Sequence, residues 1–238
     1  MTTENATKQS GGAGIALHPF VSPYYDHGGI TIYHGDCREI VPMLGRFDLL
    51  LTDPPYGIGE NGKRSNRNRK GDERWKVPSN KDYGENEWDK EPVEEWFMSL
   101  ARASAETQII FGGNYYALPP TKCWLVWDKE TDGKNGADCE LAWTNMEKAT
   151  ARIRHLWDGF RMETNEKREH PTQKPLRVMS WCIEQAGEVQ TILDPFAGSG
   201  TTGRAAKDLG KSAVLIEREE KYCEIAAQRL SQEVLPLG

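Results

Sequence analysis

The residues whose types and order point most directly to chemistry are the four consecutive ones Asp53, Pro54, Pro55 and Tyr56. They follow the apolar run 47–52, which is predicted to be a buried strand, so the carboxylate stands at a strand end. The Asp53 carboxylate and the Pro54 carbonyl can each accept one hydrogen of an exocyclic amine, and Tyr56 offers an aromatic face for a flat ring. An ordinary strand-ending turn is the alternative interpretation of the same residues.

A second group of residues begins after the apolar run 191–193, which is predicted to be a short buried strand. The loop that follows contains two glycines and leads into a predicted helix over 201–209. This order is typical of nucleoside-binding α/β units, although a lone glycine loop also occurs without that function. Glycine lets the backbone approach a ligand closely, and loop hydroxyls can cap the helix or contact the ligand. The loop residues concerned are Asp194, Phe196, Gly198, Ser199, Gly200 and Thr201.

An acidic residue, Glu217, stands at the end of the next predicted strand, which covers 212–216. In nucleoside-binding units, an acid at the end of the strand after the helix accepts hydrogen bonds from the ribose hydroxyls. A solvated acid at a strand end is the alternative interpretation. The spacing between the glycine loop and Glu217 favours the ribose-binding role.

Together these motifs resemble those of the S-adenosylmethionine-dependent amino methyltransferases of DNA. In that family a DPPY motif holds the target base and an FxGxG motif holds the cofactor. Here the catalytic motif precedes the cofactor loop, as in the β class, whose members methylate adenine N6 or cytosine N4. The resemblance covers about residues 30–230 and implies a Rossmann-like α/β fold, with a mostly parallel wound sheet and helices on both faces. It also implies that the loop after 191–193 and Glu217 bind S-adenosylmethionine.

Two further segments fit the same family. Asp36 and Cys37 match the turn that lies beside the cofactor's adenine, although a helix N-cap by Asp36 and a buried thiol would explain them as well. The stretch 170–175 matches the family's HPTQKP motif, which helps to enclose the methionine moiety of the cofactor. The residues that inherit this role are His170, Thr172, Gln173 and Lys174.

The resemblance implies a reaction on a base that has swung out of duplex DNA, because a paired and stacked amine cannot be reached. No covalent enzyme intermediate and no metal are expected. An Asp-led motif is more often adenine-directed in the family, so adenine N6 is the predicted target and cytosine N4 the alternative. A catalytically silent DNA-binding protein of the same fold is a second alternative, and methylation of RNA or of a protein amide is a third.

The charge of the chain is distributed unevenly. The net charge of −6 has the wrong sign for a DNA-binding protein, but residues 61–76 contain seven basic and two acidic side chains. We predict that this segment grips phosphates beside the base pocket, and a solvated insertion is the alternative interpretation. The predicted DNA-binding residues are Lys63, Arg64, Arg67, Arg69 and Lys70.

Length and composition predict a single domain over 1–238, with a disordered tail over 1–18 and a basic loop inserted at 57–90. The resemblance implies that this domain is a methyltransferase and that 144–169 is a short target-recognition segment. The five cysteines are odd in number and lack CxxC spacing, which argues against a disulfide framework or a zinc site. No run approaches the roughly 20 apolar residues of a membrane span, so a cytoplasmic protein is expected. The resemblance makes a homodimer plausible.

Periodicity predicts alternating strands and helices. Besides the strands already described, strands are predicted at 30–33, 108–111, 123–127 and 139–143. Helices are predicted at 36–44, 92–105, 175–186, 201–209 and 219–230. The aromatic residues of 139–143 and of 115–116 can serve either the core or the target-base pocket.

Overall fold

The computed structural model describes residues 22–56, 95–131, 137–157 and 173–232 of the 238-residue chain. These residues form nine strands and five α-helices. The strands are β1 (Tyr25–His27), β2 (Ile30–His34), β3 (Phe47–Thr52), β4 (Ala105–Phe111), β5 (Trp124–Asp128), β6 (Cys139–Thr144), β7 (Ala151–Arg154), β8 (Thr191–Asp194) and β9 (Ser212–Glu217). The helices are α1 (Cys37–Ile40), α2 (Glu95–Ser104), α3 (Leu176–Gln185), α4 (Thr201–Asp208) and α5 (Glu220–Ser231), with 3₁₀ turns at Val41–Met43 and Gly113–Tyr115.

The strands lie in one sheet in the order β1-β2-β9-β8-β3-β4-β6-β5-β7. The neighbours from β2 to β4 in this order pair in parallel. β1 pairs with β2 in antiparallel fashion, and β6 is antiparallel to both β4 and β5. The chain therefore has the predicted Rossmann-like α/β fold, in which β3 and β8 lie side by side at the centre of the sheet.

The central strand β3 is buried on both faces, which explains its largely apolar sequence. Leu49 and Leu51 pack into a cluster that also contains buried residues of α3, α4 and α5. Leu50 points to the opposite cluster, which contains Phe97 and Ala101 of α2. Helices thus cover both faces of the sheet, and the turns that follow β3 and its parallel neighbours are held on a rigid support.

Most predicted elements are confirmed, with three differences. The helix predicted over 36–44 is divided into α1 and the 3₁₀ turn Val41–Met43, because Pro42 lacks the N–H that a continuous α-helix would use. The edge strands β1 and β7 were not predicted. Both are only three or four residues long and contain only half-buried and exposed positions, so neither has a strong apolar pattern.

Two further expectations concern the cysteines and the possibility of a membrane-spanning helix. All five cysteines lie within the described ranges and are free; four are buried and Cys139 is exposed. Across the described ranges, no helix combines the length and apolar character needed to cross a membrane.

Candidate active site

Four neighbouring parallel strands, β2, β9, β8 and β3, end at the same edge of the sheet. Ligands of open α/β sheets bind in the crevice outside such carboxyl ends. A cavity of about 370 Å³ opens at this edge. Twelve predicted site residues line it, namely Asp36, Cys37, Asp53, Pro55, Gln173, Lys174, Asp194, Phe196, Gly198, Ser199, Thr201 and Glu217.

Glu217 is half-buried at the end of β9, where its carboxylate faces the glycine loop. The N–H of Gly198 donates to one carboxylate oxygen at 2.8 Å, and the N–H of Glu219 donates to the other at 2.8 Å. Burial raises the pKa of this carboxyl above its usual value, and the two N–H donors oppose the shift. Each oxygen keeps a further lone pair, so Glu217 can accept hydrogen bonds from two neighbouring hydroxyls.

Unlike Gly198 of the same loop, Gly200 does not line the cavity, and its role lies in the packing of the backbone. It has a left-handed backbone with φ of 77°, and a Cβ at this position would lie 2.8 Å from the Cβ of Ala226 in α5. Gly200 is the N-cap residue of α4 and no side chain caps that helix. Capping was one of two roles considered for the Ser199 and Thr201 hydroxyls, and it is not observed because these hydroxyls bond to other partners.

Those partners hold the glycine loop from two sides. The Ser199 hydroxyl donates to Gln173 Oε1 at 3.1 Å, which links the loop to the segment before α3. The guanidinium of Arg229 in α5 donates to the Ser199 carbonyl at 2.7 Å and to the Thr201 hydroxyl at 3.2 Å. Sequence reasoning missed Arg229, since a single arginine in an amphipathic helix carries no signal for a partner in a distant loop.

Asp194 joins three parts of the site. Its carboxylate accepts hydrogen bonds from the hydroxyl of Thr52 at 2.9 Å, from that of Thr202 at 2.5 Å and from the N–H of Phe196 at 3.1 Å. Burial raises the pKa of Asp194 to about 6, and these three donors oppose the shift. The carboxylate thus ties the end of β3 to the glycine loop and to the first turn of α4.

Asp36 and Cys37 follow β2 and line the cavity near the end of that strand. Asp36 is the N-cap of α1 and accepts from the backbone N–H of Arg38 at 2.8 Å and from its side chain. The Cys37 thiol is buried, and burial raises its pKa to about 11. Both residues line the cavity while filling the structural roles that we considered as their alternative.

Asp53 lies directly after β3 with its side chain largely buried. One carboxylate oxygen accepts a hydrogen bond from the Tyr56 hydroxyl, and the other accepts one from the Lys174 ammonium group. Burial raises the pKa of Asp53 above its usual value, and the Lys174 charge opposes that shift. Lys174, which the family resemblance assigns to the cofactor, lines the cavity and also pairs with the proposed catalytic carboxylate.

Tyr56 stands beside Asp53 within a cluster of tyrosines. Its ring stacks on that of Tyr115 with 5.0 Å between centroids and 21° between planes. Tyr116 donates its hydroxyl to the carbonyl of Pro55 at 2.7 Å and to that of Pro54 at 3.1 Å. A carbonyl oxygen has two lone pairs, so that of Pro54 can still accept from a second donor. The ambiguous residues Tyr115 and Tyr116 thus belong to the surroundings of the Asp53 turn.

Sequence reasoning also missed Glu140 of β6 and Lys129. Glu140 Oε2 lies 3.2 Å from Lys174 Nζ, and Lys129 Nζ lies 2.5 Å from Glu140 Oε1. The strand was recognised, and its aromatic residues were weighed as core or pocket. The signal that could have found Glu140 is an acidic residue in an otherwise apolar strand, because such a residue needs a positive partner when it is buried.

The remaining predicted residues fall into two groups. Pro54, Tyr56 and Gly200 are described but do not line the cavity. Outside the described residues lie His170, Thr172, Lys63, Arg64, Arg67, Arg69 and Lys70, together with the tail 1–18 and the inserted loop 57–90. Of the predicted recognition segment 144–169, the first part includes the end of β6 and all of β7, and 158–169 lies outside the described residues.

Comparisons with known proteins agree with these motifs. The sequence model of the N6/N4 DNA methylase family matches residues 119–228. The Type II methyltransferase M2.DpnII of Streptococcus pneumoniae is 41% identical over 89% of this chain and 93% of that protein. The Type II methyltransferase M.HinfI of Haemophilus influenzae is 29% identical over 87% of this chain and 69% of that protein.

Two solved structures share the fold. The complex of M1.HpyAVI with SAM superposes with a TM-score of 0.53 and 22% identity, covering 84% of this chain and 100% of that chain. The cytosine-N4-specific PvuII DNA methyltransferase superposes with a TM-score of 0.57 and 14% identity, covering 91% of both chains. At these identities the two similarities show a common fold.

Proposed function

The chain belongs to the N6/N4 family of DNA methylases, and from that premise we propose that it methylates the N6 amine of adenine in duplex DNA. The coarser statement, an S-adenosylmethionine-dependent DNA amino methyltransferase, follows from family membership. The choice of adenine and the roles of individual residues are the parts that we propose.

The observation that carries the proposed reaction on an exocyclic amine is the position of two adjacent acceptors after β3, one of which lines the cavity. The Asp53 carboxylate lines the cavity, and the carbonyl of Pro54 follows it in the chain at the end of a rigid strand. An exocyclic amine has two hydrogens, and two acceptors at adjacent positions can take one each. A target amine held there would face the cavity in which we place the cofactor.

The cavity fits the cofactor that this family uses. Its volume of about 370 Å³ lies in the range of small-molecule sites, and Glu217 presents free acceptor capacity to it. We assign Glu217 and Gly198 to the nucleoside end of S-adenosylmethionine and Gln173 to its amino-acid end. When bound, the cofactor supplies a methyl group on a positively charged sulfur.

The residues around Asp53 would bind the target base and position its amine for methyl transfer. The base must leave the duplex stack before its amine can reach a buried carboxylate, at a cost of a few kcal/mol. Stacking on Tyr56, at about 1 to 3 kcal/mol per base–aromatic contact, can offset much of this cost. Hydrogen bonds from the amine to Asp53 and Pro54 draw its lone pair out of the ring, which makes the nitrogen a better nucleophile. This contribution is positioning together with electrostatic stabilisation.

Adenine is proposed because the motif begins with Asp53, and an Asp-led motif is more often adenine-directed in this family. We further propose that the basic segment 61–76 binds phosphates beside the base pocket, on the strength of its composition.

Product analysis tests the proposal. The protein is incubated with unmethylated duplex DNA of mixed sequence and methyl-labelled S-adenosylmethionine, and the digested nucleosides are separated by mass spectrometry. We expect the label in 6-methyladenine. Label in 4-methylcytosine would overturn the assignment of the base, and absence of label in DNA despite cofactor binding would overturn the proposed reaction.

A further inference from the structure

Four charged side chains form a row that ends at the proposed target-amine site. In order they are Lys129, Glu140, Lys174 and Asp53, and we call them the charge row. Lys129 Nζ lies 2.5 Å from Glu140 Oε1, Glu140 Oε2 lies 3.2 Å from Lys174 Nζ, and Lys174 donates to Asp53. Positive and negative charges alternate, so the row as a whole is neutral.

The row comes from distant parts of the chain and is shielded from water. The Lys174 side chain is 8% exposed, and those of the other members are between 16% and 23% exposed. Among the described residues, Glu140 Oε2 is buried without a hydrogen bond, and the charge of this carboxylate is offset by Lys174 at Oε2 and by Lys129 at Oε1. Placing charged groups away from water is costly unless their partners are in place. If the charge row only stabilised the fold, apolar side chains of similar size at these positions would stabilise it equally well.

We propose that Lys174 and Glu140 are positioning residues for methyl transfer: Lys174 holds Asp53 ionised and oriented, and Glu140 offsets the Lys174 charge beside the reacting amine. This inference rests on the proposed function, since it assigns Asp53 to the target amine. It concerns residues for which family resemblance implies either a cofactor contact, as for Lys174, or no role, as for Glu140.

The role of Lys174 follows from the burial of Asp53. A carboxyl removed from water tends to retain its proton, and a protonated Asp53 would lose acceptor capacity toward the amine. Lys174 opposes protonation while leaving room for the substrate, because the two carboxylate oxygens together have about four lone-pair sites and accept two hydrogen bonds here. The amine can therefore bind Asp53 without displacing Lys174.

The role of Glu140 follows from the charge that develops in the reaction. The amine nitrogen bonds to the methyl carbon as the carbon–sulfur bond breaks, with the bonding electron pair left on sulfur, and the nitrogen stays positive until it loses a proton to water. A nearby ammonium without its own counter-charge would repel this developing charge across a low-dielectric site. Glu140 cancels the field of Lys174 at the amine, and Lys129, packed 5.1 Å from the centre of the Trp127 ring, holds Glu140 in place.

The directions of the pKa shifts within the charge row agree with the separate roles of Lys174 and Glu140. Burial alone would raise the pKa of Glu140, but Lys174 and Lys129 outweigh burial and hold it below its usual value. Burial alone would lower the pKa of Lys174, but Asp53 and Glu140 raise it above its usual value. Glu140 also raises the pKa of Asp53, whereas Lys174 lowers it. The two positioning residues therefore act on Asp53 with opposite sign.

Other titratable groups also face Asp53, and the test must leave them unchanged. Tyr56 donates its hydroxyl to the carboxylate, and Asp194 at the end of β8 carries a pKa that Asp53 raises. Neither is altered in Lys174→Gln or Glu140→Gln. The matched control is Lys122→Gln, which removes a lysine from an exposed Lys122–Glu147 ion pair.

The experiment measures the ionisation of Asp53 in two ways. Carbon-13 NMR follows its carboxyl in the protein without cofactor, and Asp53→Asn identifies the signal. The pH profile of kcat/KM for DNA at saturating S-adenosylmethionine follows the same group through activity, whose acidic limb falls as Asp53 takes up a proton. The NMR titration remains informative even for a variant that is folded and inactive.

We expect Lys174→Gln to move the Asp53 titration to higher pH by about one pH unit or more, since an opposite charge in contact has been removed. Glu140→Gln should move it to lower pH and at the same time lower the kcat of the high-pH plateau about tenfold, because Lys174 is then uncompensated. A general loss of structure would not produce shifts of opposite sign.

Titrations of both variants that coincide with wild type and with Lys122→Gln, in an active wild-type enzyme, would overturn the charge-row inference and leave the proposed function standing. A wild-type protein that transfers no methyl group to DNA would instead overturn the proposed function, whatever the NMR titrations show.

Discussion

Gly112 is the residue whose substitution tests the geometry of the target-base site most sharply. It follows β4 with φ of 67°, and a Cβ there would lie 2.1 Å from Cε1 of the Tyr56 ring. Gly112→Ala therefore forces Tyr56 away from both Asp53 and Tyr115. The matched control is Gly210→Ala, because Gly210 has a φ of 66° and a Cβ there would meet nothing within 4 Å.

The two variants are expected to differ in their free energies of unfolding. Both pay for an alanine in a left-handed conformation, about 1 to 2 kcal/mol. Gly112→Ala also loses the hydroxyl–carboxylate hydrogen bond of Tyr56 and its stacking on Tyr115, which together amount to about 2 to 4 kcal/mol. Urea denaturation should show this difference in the free energy of unfolding between the two variants. The costs in Gly112→Ala together amount to about 3 to 6 kcal/mol, against a stability of about 5 to 15 kcal/mol for folded domains, so the urea curve also establishes that this variant is folded before it is assayed.

Methyltransferase activity should also be lower in Gly112→Ala than in Gly210→Ala. Loss of the Tyr56 stacking surface should lower kcat/KM for DNA about tenfold or more in Gly112→Ala, with affinity for S-adenosylmethionine near wild type because Tyr56 does not line the cofactor cavity. Gly210→Ala should transfer methyl groups as wild type does. Equal unfolding free energies and equal activities for the two variants would refute the account of how Tyr56 is held.

Three further changes probe other parts of the site. Glu217→Gln should weaken S-adenosylmethionine binding about tenfold or more by isothermal titration calorimetry, since a charge-assisted hydrogen bond to a hydroxyl contributes about 1.5 to 3 kcal/mol; unchanged affinity would contradict the ribose assignment. Arg229→Met removes donors to two residues of the glycine loop and should lower cofactor affinity with little change in the KM for DNA; equal losses in both would show a general disruption instead. Replacing Arg64, Arg67 and Arg69 with glutamine should reduce the salt dependence of DNA binding by about 2 to 3 in log–log slope, and an identical slope would remove the basic segment from the DNA interface.

The features predictable from the sequence are those that depend on neighbouring residues. The turn Asp53–Tyr56 follows a strand whose apolar sequence is local, and the glycine loop begins directly after Asp194 in the same way. Because parallel strands end at one edge of a sheet, predicting the strands also predicts that these turns meet. The common position of Asp53, Glu217 and the glycine loop around one cavity could therefore be expected from the sequence.

The features that could not be predicted depend on residues brought together by the tertiary fold. Lys174 meets Asp53 across 121 positions of the chain, and Glu140 joins them only because β6 lies between β4 and β5. No local pattern encodes the order of strands at this side of the sheet. The same holds for Arg229, which reaches the glycine loop from the last helix.

A comparison of wild type with Asp53→Asn tests the central claim most directly. Each protein is given labelled S-adenosylmethionine and unmethylated duplex DNA, and labelled 6-methyladenine is quantified beside calorimetric cofactor affinity. Asparagine keeps the shape of the side chain but replaces one acceptor oxygen with a donor. We predict abundant 6-methyladenine with wild type, and at least about a hundredfold slower formation with Asp53→Asn at nearly unchanged cofactor affinity. Wild-type turnover by Asp53→Asn would contradict the account.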